Sequence, residues 1–180
     1  MTFQYSLDED DYLAYQLYTV SKSKRSINNR KKVWLIMSTV MLILCWSAYS
    51  SSRLNHLYFL IPLALIVILF YPKYQKWYYR RHYINHIKEH YKNKVNQTSV
   101  LELDSECIKS SSKFGEASIN LREVIELNET GDYLFVKIST GESLILPKAK
   151  VDIDLFKKEL LSILPSNGLL VTEELNWKWY

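Results

Sequence analysis

Only four glycines, four prolines and two cysteines occur in 180 residues. Cys45 lies in an apolar stretch and Cys107 far along the chain, so a disulfide framework is excluded and both are expected as free thiols. The chain has no Walker-type glycine loop, no G-x-S-x-G, no H-E-x-x-H and no paired C-x-x-C. Histidine is missing after Thr98, which removes the commonest general base from the part of the chain best able to enclose a substrate. These gaps argue against an enzyme. No catalytic, cofactor-binding or metal-ligating residue is assigned, and no cofactor is expected.

Apolar residues make up 48% of the chain but are placed unevenly. From Val33 to Ser50 the sequence VWLIMSTVMLILCWSAYS carries no charge, and as a helix it reaches roughly 27 Å, enough to cross a bilayer. The run from Leu57 to Tyr71 reaches spanning length once Leu54 to His56 join it. Spans are therefore expected at about 33–52 and 54–71. Neither stretch has the polar face that a helix buried in a soluble protein would show. The first apolar run starts more than thirty residues in and has no small-residue cleavage site after it, so the anchor is expected to be retained. Pro62 should kink the second span unless a neighbouring group, most simply from the first span, satisfies the freed carbonyl.

Lys22, Lys24, Arg25, Arg30, Lys31 and Lys32 precede the first span, and Lys73, Lys76, Arg80 and Arg81 follow the second, whereas only Arg53 and His56 lie between them. Basic flanks resist translocation, so both termini are expected in the cytoplasm and the turn from Ser51 to His56 outside. Trp34, Trp46, Tyr58, Tyr71, Tyr74 and Trp77 sit where interfacial aromatic anchors belong. A net charge of +4 could suggest nucleic acid, but the cations crowd beside the apolar runs. The expected partners are the lipid bilayer with its anionic headgroups, and a protein partner or a second copy of the chain. Nucleic acid is not expected.

Four regions follow: an amino-terminal strand and amphipathic helix (1–32), the spans (33–72), a juxtamembrane helix (73–97) and a β-rich domain (98–180). Phe3, Tyr5 and Leu7 alternate like a strand, and Asp8 to Asp11 suit the start of a helix running to about Arg25, where they should cap it. The glycine-free stretch from Lys73 to Lys94 reads as a helix, open to being a continuation of the second span. Its His82, His86 and His90 stand at i, i+4 spacing, but the first and third are about 12 Å apart in rise and cannot share one ion.

From Thr98, the runs SVLELD, ECIKSSS, FGEASIN, REVIELN, DYLFVKIS and ESLILP alternate like strands, with turn chemistry at Thr130-Gly131-Asp132 and Thr140-Gly141-Glu142. Glu102, Asp104 and Glu106 alternate with Leu101 and Leu103, the pattern of a solvated strand face over a buried one. Lys109, Lys113, Lys148 and Lys150 read as solubilising charges. Asp152 precedes a helix from Ile153 to Leu164 whose apolar face should cover the sheet, with Pro165 and Gly168 as stops. The last residues, LLVTEELNWKWY, fit a further strand, packing on the domain or the membrane surface equally well.

Two spans, a meander ending in Leu146-Pro147-Lys148, a closing helix and the opening FQYSLDEDDYLAY together resemble the YcxB-like bacterial membrane proteins. The family's aromatic residue after Pro-Lys is replaced here by Val151. The resemblance implies an inner-membrane location and an α+β domain similar to the pleckstrin-homology-like fold, and it brings no activity and no binding residues.

Overall fold

The computed structural model describes residues 1–51, 54–113, 115–164 and 169–179. Arg53 and the expected stops Pro165 and Gly168 lie outside these, as do Phe114 and Tyr180. The chain forms two compact units: residues 1–15 with 85–178, and residues 16–84 with 179–180.

The first unit is α+β. Its first sheet has the order β1-β2-β3-β4, all antiparallel, from β1 (Thr2–Ser6), β2 (Thr98–Leu103), β3 (Cys107–Ser112) and β4 (Gly115–Asn120). The opening strand is thus no region apart: Phe3 lies opposite Leu101 and Tyr5 opposite Ser99, across some ninety residues of intervening chain. A 3-10 turn at Leu121–Glu123, capped by Asn120, ends this sheet and leads into the second. There β5 (Val124–Thr130) pairs with β6 (Tyr133–Ile138), and β6 with β7 (Ser143–Pro147). The six expected strand runs all appear, divided between two sheets at that turn.

Helix α4 (Ile153–Ile163) follows, its start capped by Asp152, whose carboxylate accepts from the Leu155 N–H at 3.0 Å. The open question of the carboxyl end is settled in favour of a strand: Leu170–Glu174 (β8) adds to the free side of β5 in parallel, the crossover through α4 making that direction reachable. Alternation puts Leu101, Leu103 and Ile108 of one sheet and Leu127, Leu134, Val136 and Leu146 of the other into one core, closed by Phe156 and Leu160 of α4. Phe3 meets Phe156 edge to face with centroids 5.7 Å apart. The turn glycines do different work. Gly141 adopts φ +91°, whereas a Cβ at Gly131 would stand 2.8 Å from the Leu175 carbonyl oxygen.

Helix α1 (Glu9–Lys22) begins in the first unit and ends in the second. The second unit otherwise consists of α2 (Lys24–Ser50), α3 (Leu54–His90) as far as Ile84, and Trp179. Both α2 and α3 are long and apolar enough to cross a membrane, with mean hydropathies of 1.7 and 1.8, and only 0% and 6% of those windows is buried within the protein. A core helix of a soluble protein would be mostly covered. Here Leu42, Ile43, Trp46, Phe59 and Leu69 stand exposed. The second apolar run and the stretch after it are one continuous helix running through Pro62 and Pro72, which ends at His90, short of the expected Lys94.

Pro72 has no N–H for the Ile68 carbonyl, the i−4 acceptor. The Trp34 indole of α2 donates to that oxygen at 3.1 Å. Gln75 ties the helices again by donating to the Arg30 carbonyl at 3.3 Å. Ala48 and Ala64 are buried, small residues that let helices approach.

Candidate functional site

Every one of the 19 carboxylate side chains lies at or before Asp11 or at or after Glu89; the 77 residues between hold 12 lysines and arginines and no acid. Within the helical unit several cations lie over aromatic rings. Arg30 lies over Tyr79 at 5.9 Å and Trp179 at 5.4 Å, Lys73 over Phe70 and Arg81 over Trp77. Trp179 also reaches α3 by donating to the Lys76 carbonyl at 3.4 Å.

Two clefts follow the amino-terminal half of α2. The upper, of 670 Å³, is lined by Ser23, Arg25, Ser26, Asn28, Asn29 and Lys32, with Tyr83 of α3. The lower, of 540 Å³, shares Asn28 and Lys32 and continues past Leu35 and Ile36 to Val40. Polar and cationic groups thus give way to aliphatic ones along a single helix face, over about 12 Å from Lys32 to Val40. Ser23 caps the helix there, its hydroxyl accepting from the Ser26 N–H.

In the β unit several charges are paired across elements. Asp8 and Asp11 form a reciprocal capping box, each carboxylate accepting the other's N–H at 2.9 Å. Lys150 donates to Asp11 at 2.6 Å, to Asp8 at 2.9 Å and to the Ser6 carbonyl at 3.0 Å. Burial opposes ionisation of Asp8, but Lys150 and the Asp11 N–H outweigh it and hold the carboxyl below its ordinary value. Burial and the nearby Asp11 carboxylate push the Tyr133 phenol up. Glu129, with its side chain 11% exposed, receives Lys148 at 2.6 Å and Lys157 at 2.7 Å, and Lys157 also holds Glu173. These lysines outweigh the burial that would raise the Glu129 pKa, so it too is depressed.

The network corrects the reading of Lys148 and Lys150 as plain solubilising charges: each clamps separate elements of the unit. Lys109 reaches Asp104 only at 3.9 Å between exposed side chains, and Lys113 is exposed, as expected. Sequence spacing hid the network because its partners stand up to 144 residues apart. Glu102, Asp104 and Glu106 are exposed, with Leu101 and Leu103 buried beneath. His86 and His90 stack at 4.3 Å, and His90 Nδ1 lies 3.1 Å from the His86 carbonyl. Among the described residues no group of three metal-binding side chains occurs.

The stretch from the end of β2 through most of α4, residues 103–160, matches the family described as YcxB-like protein. This segment is YcxB-like. It contains Leu146-Pro147-Lys148 together with Glu129 and Lys157, so the Glu129 ion pairs lie inside the YcxB-like segment. Val151, where the family's aromatic was expected, is buried in the core. The two membrane-length helices precede the YcxB-like segment in the chain. No curated protein and no solved structure gives a significant match.

Proposed function

We propose that this chain is a membrane-tethered interaction module of a bacterial inner membrane, with both termini and a pleckstrin-homology-like β unit in the cytoplasm. The observation that carries the reading is α2 and α3, whose apolar side chains stand exposed along two membrane-length helices with cations massed at one end. Exposed apolar surface on that scale needs a non-aqueous neighbour, and the cation asymmetry favours retention of that end in the cytoplasm.

Binding in place of catalysis is supported by the way the β unit uses its charged groups. Asp8, Asp11, Glu129 and their lysines are spent on one another, and the His86 and His90 rings lie against each other. The ligand is a cytoplasmic protein, and nucleic acid is disfavoured because the β unit carries 12 basic against 19 acidic residues. Ser38, Thr39 and Ser47 along α2, the last two exposed, favour a second reading, a subunit packed by those hydroxyls against further helices of a larger complex. Blue-native electrophoresis showing only monomer would remove it.

Cys107 on β3 tests the topology in a Cys45→Ser background. A membrane-impermeant maleimide should label it only after lysis and unfolding; labelling in intact cells would overturn the orientation. In-cell crosslinking with mass spectrometry should then return a reproducible cytoplasmic partner. Substrate turnover by the purified full-length protein would sink the binding reading.

A further inference from the structure

In the β unit the buried carboxylates Asp11 and Glu129 each hold a lysine, whereas two cations at the start of α2 have no such partner. Arg25 and Lys32 have no ion pair or ring partner among the described residues, and no aspartate or glutamate occurs in residues 12–88. They stand seven residues apart, two turns of one helix face, with Asn28 and Asn29 between them. Ser23, Ser26 and the Tyr83 phenol line the same cleft, giving neutral donors beside the cations.

We propose that this face of α2 is a binding site for one anionic glycerophospholipid, with its phosphate between Arg25 and Lys32 and an acyl chain along Leu35, Ile36 and Val40. The proposal rests on the spanning reading of α2. Charge complementarity selects the occupant, because a cleft holding two unpaired cations and no carboxylate calls for an anion. The lower cleft selects the class of anion. Inorganic phosphate would use the upper cleft alone, whereas the apolar continuation through Ile36 to Val40 needs a hydrocarbon. Depth agrees: Val33 begins the uncharged run, so Lys32 stands at headgroup level and Val40 roughly 12 Å deeper, within one leaflet. A lysine at that level reaches the phosphate while its stem lies along the apolar face.

The test is native mass spectrometry of the full-length protein in detergent, titrated with phosphatidylglycerol, phosphatidylcholine or inorganic phosphate. Phosphatidylglycerol should bind with one-to-one stoichiometry and in preference to both other probes. Replacing Arg25→Gln with Lys32→Gln should weaken it roughly thirtyfold, at about a factor of five for each cation at a lipid surface. Lys73→Gln with Arg80→Gln removes the same charge outside the clefts and should leave binding within twofold. Ile36→Trp, which fills the lower cleft without touching a charge, should weaken phosphatidylglycerol and not phosphate. Equal losses from both glutamine pairs would overturn the site in favour of diffuse attraction, as would phosphatidylcholine binding as tightly as phosphatidylglycerol. Carbonate extraction of the membranes separates the two readings. A protein that stays in the pellet yet shows no lipid preference loses the site alone, and one released to the supernatant loses the spanning reading and the site with it.

Discussion

The two units of this chain handle charge in opposite ways. The helical unit holds 11 lysines and arginines and no aspartate or glutamate, a formal net of +11; the β unit holds 12 against 19, a net of −7, and together they give the +4 of the whole. In the β unit, cations and carboxylates meet across elements far apart in sequence, so electrostatics there serves the fold. Residues 16–84 offer their cations no aspartate or glutamate, and Arg30 and Arg81 lie instead over aromatic rings. The apolar residues divide the same way, inward in one unit and outward in the other. Overall composition averages these two chemistries into an ordinary soluble protein.

The largest way to break the comparison is through the apolar residues. Phe156 is fully buried, so Phe156→Ala should destabilise the β unit by about 3–5 kcal/mol. Leu69, 64% exposed on α3, should lose almost no stability in detergent on Leu69→Ala, because its neighbours there are hydrocarbon in either state. Urea titration followed by trapping of the Cys107 thiol reads the first, and far-ultraviolet circular dichroism the second. A loss at Leu69 matching that at Phe156 would mean α3 is buried after all.

Charge removal comes next. Glu129→Ala leaves Lys148 and Lys157 facing each other with little water. Breaking a fully buried pair costs about 3–5 kcal/mol, and since these lysines remain 28% and 20% exposed, about 2 kcal/mol is expected here. Lys157→Met, which keeps the stem's packing, should cost less, because Glu129 retains Lys148.

Acid should separate the units without any mutation. The folded-state pKa values of Asp8 and Glu129 are depressed, so their contribution is present above the unfolded carboxylate values near 4 and is lost as pH falls through the folded ones. Lys150 and Lys157 are raised, so their share persists until pH climbs past the ordinary lysine value near 10.5. Below about pH 4 the Cys107 thiol should gain access to reagent while the helical signal of α2 and α3 survives, since residues 16–84 have no Asp or Glu to protonate. Parallel loss of both signals would contradict the division.

What the sequence made legible follows the same split. Both long helices, the strand runs from Thr98 to Pro147, the Asp152 cap and α4 could be read directly, because apolar runs, alternation and capping act within a few residues. The insertion of β1 beside β2, the break into two sheets and the parallel β8 could not, since strand partners are chosen by the whole core. The lysine clamps were hidden for that reason too. Arg25 and Lys32 were visible as cations before an apolar run, but the lower cleft that marks one face as special needed side-chain geometry.

The smallest effect tests the helical unit from within. Trp34 belongs to the row of expected interfacial aromatics, most of which are exposed, yet its indole reaches the carbonyl that Pro72 leaves without a partner. An anchor and a donor predict different couplings. As a donor, Trp34→Phe should cost about 1 kcal/mol of hairpin stability in detergent, within the range for hydrogen bonds between membrane helices. Pro72→Ala restores an N–H at position 72, so the Ile68 carbonyl can return to its own helix and Trp34→Phe should then cost almost nothing. The double-mutant cycle thus reads the bond as a coupling energy of about 1 kcal/mol. Equal costs in both backgrounds would show that the ring contributes as an interfacial anchor alone. With no aspartate or glutamate in residues 16–84, α2 and α3 have no ion pair between their side chains there, and a hydrogen bond to a proline-freed carbonyl supplies a polar tie that needs no charge.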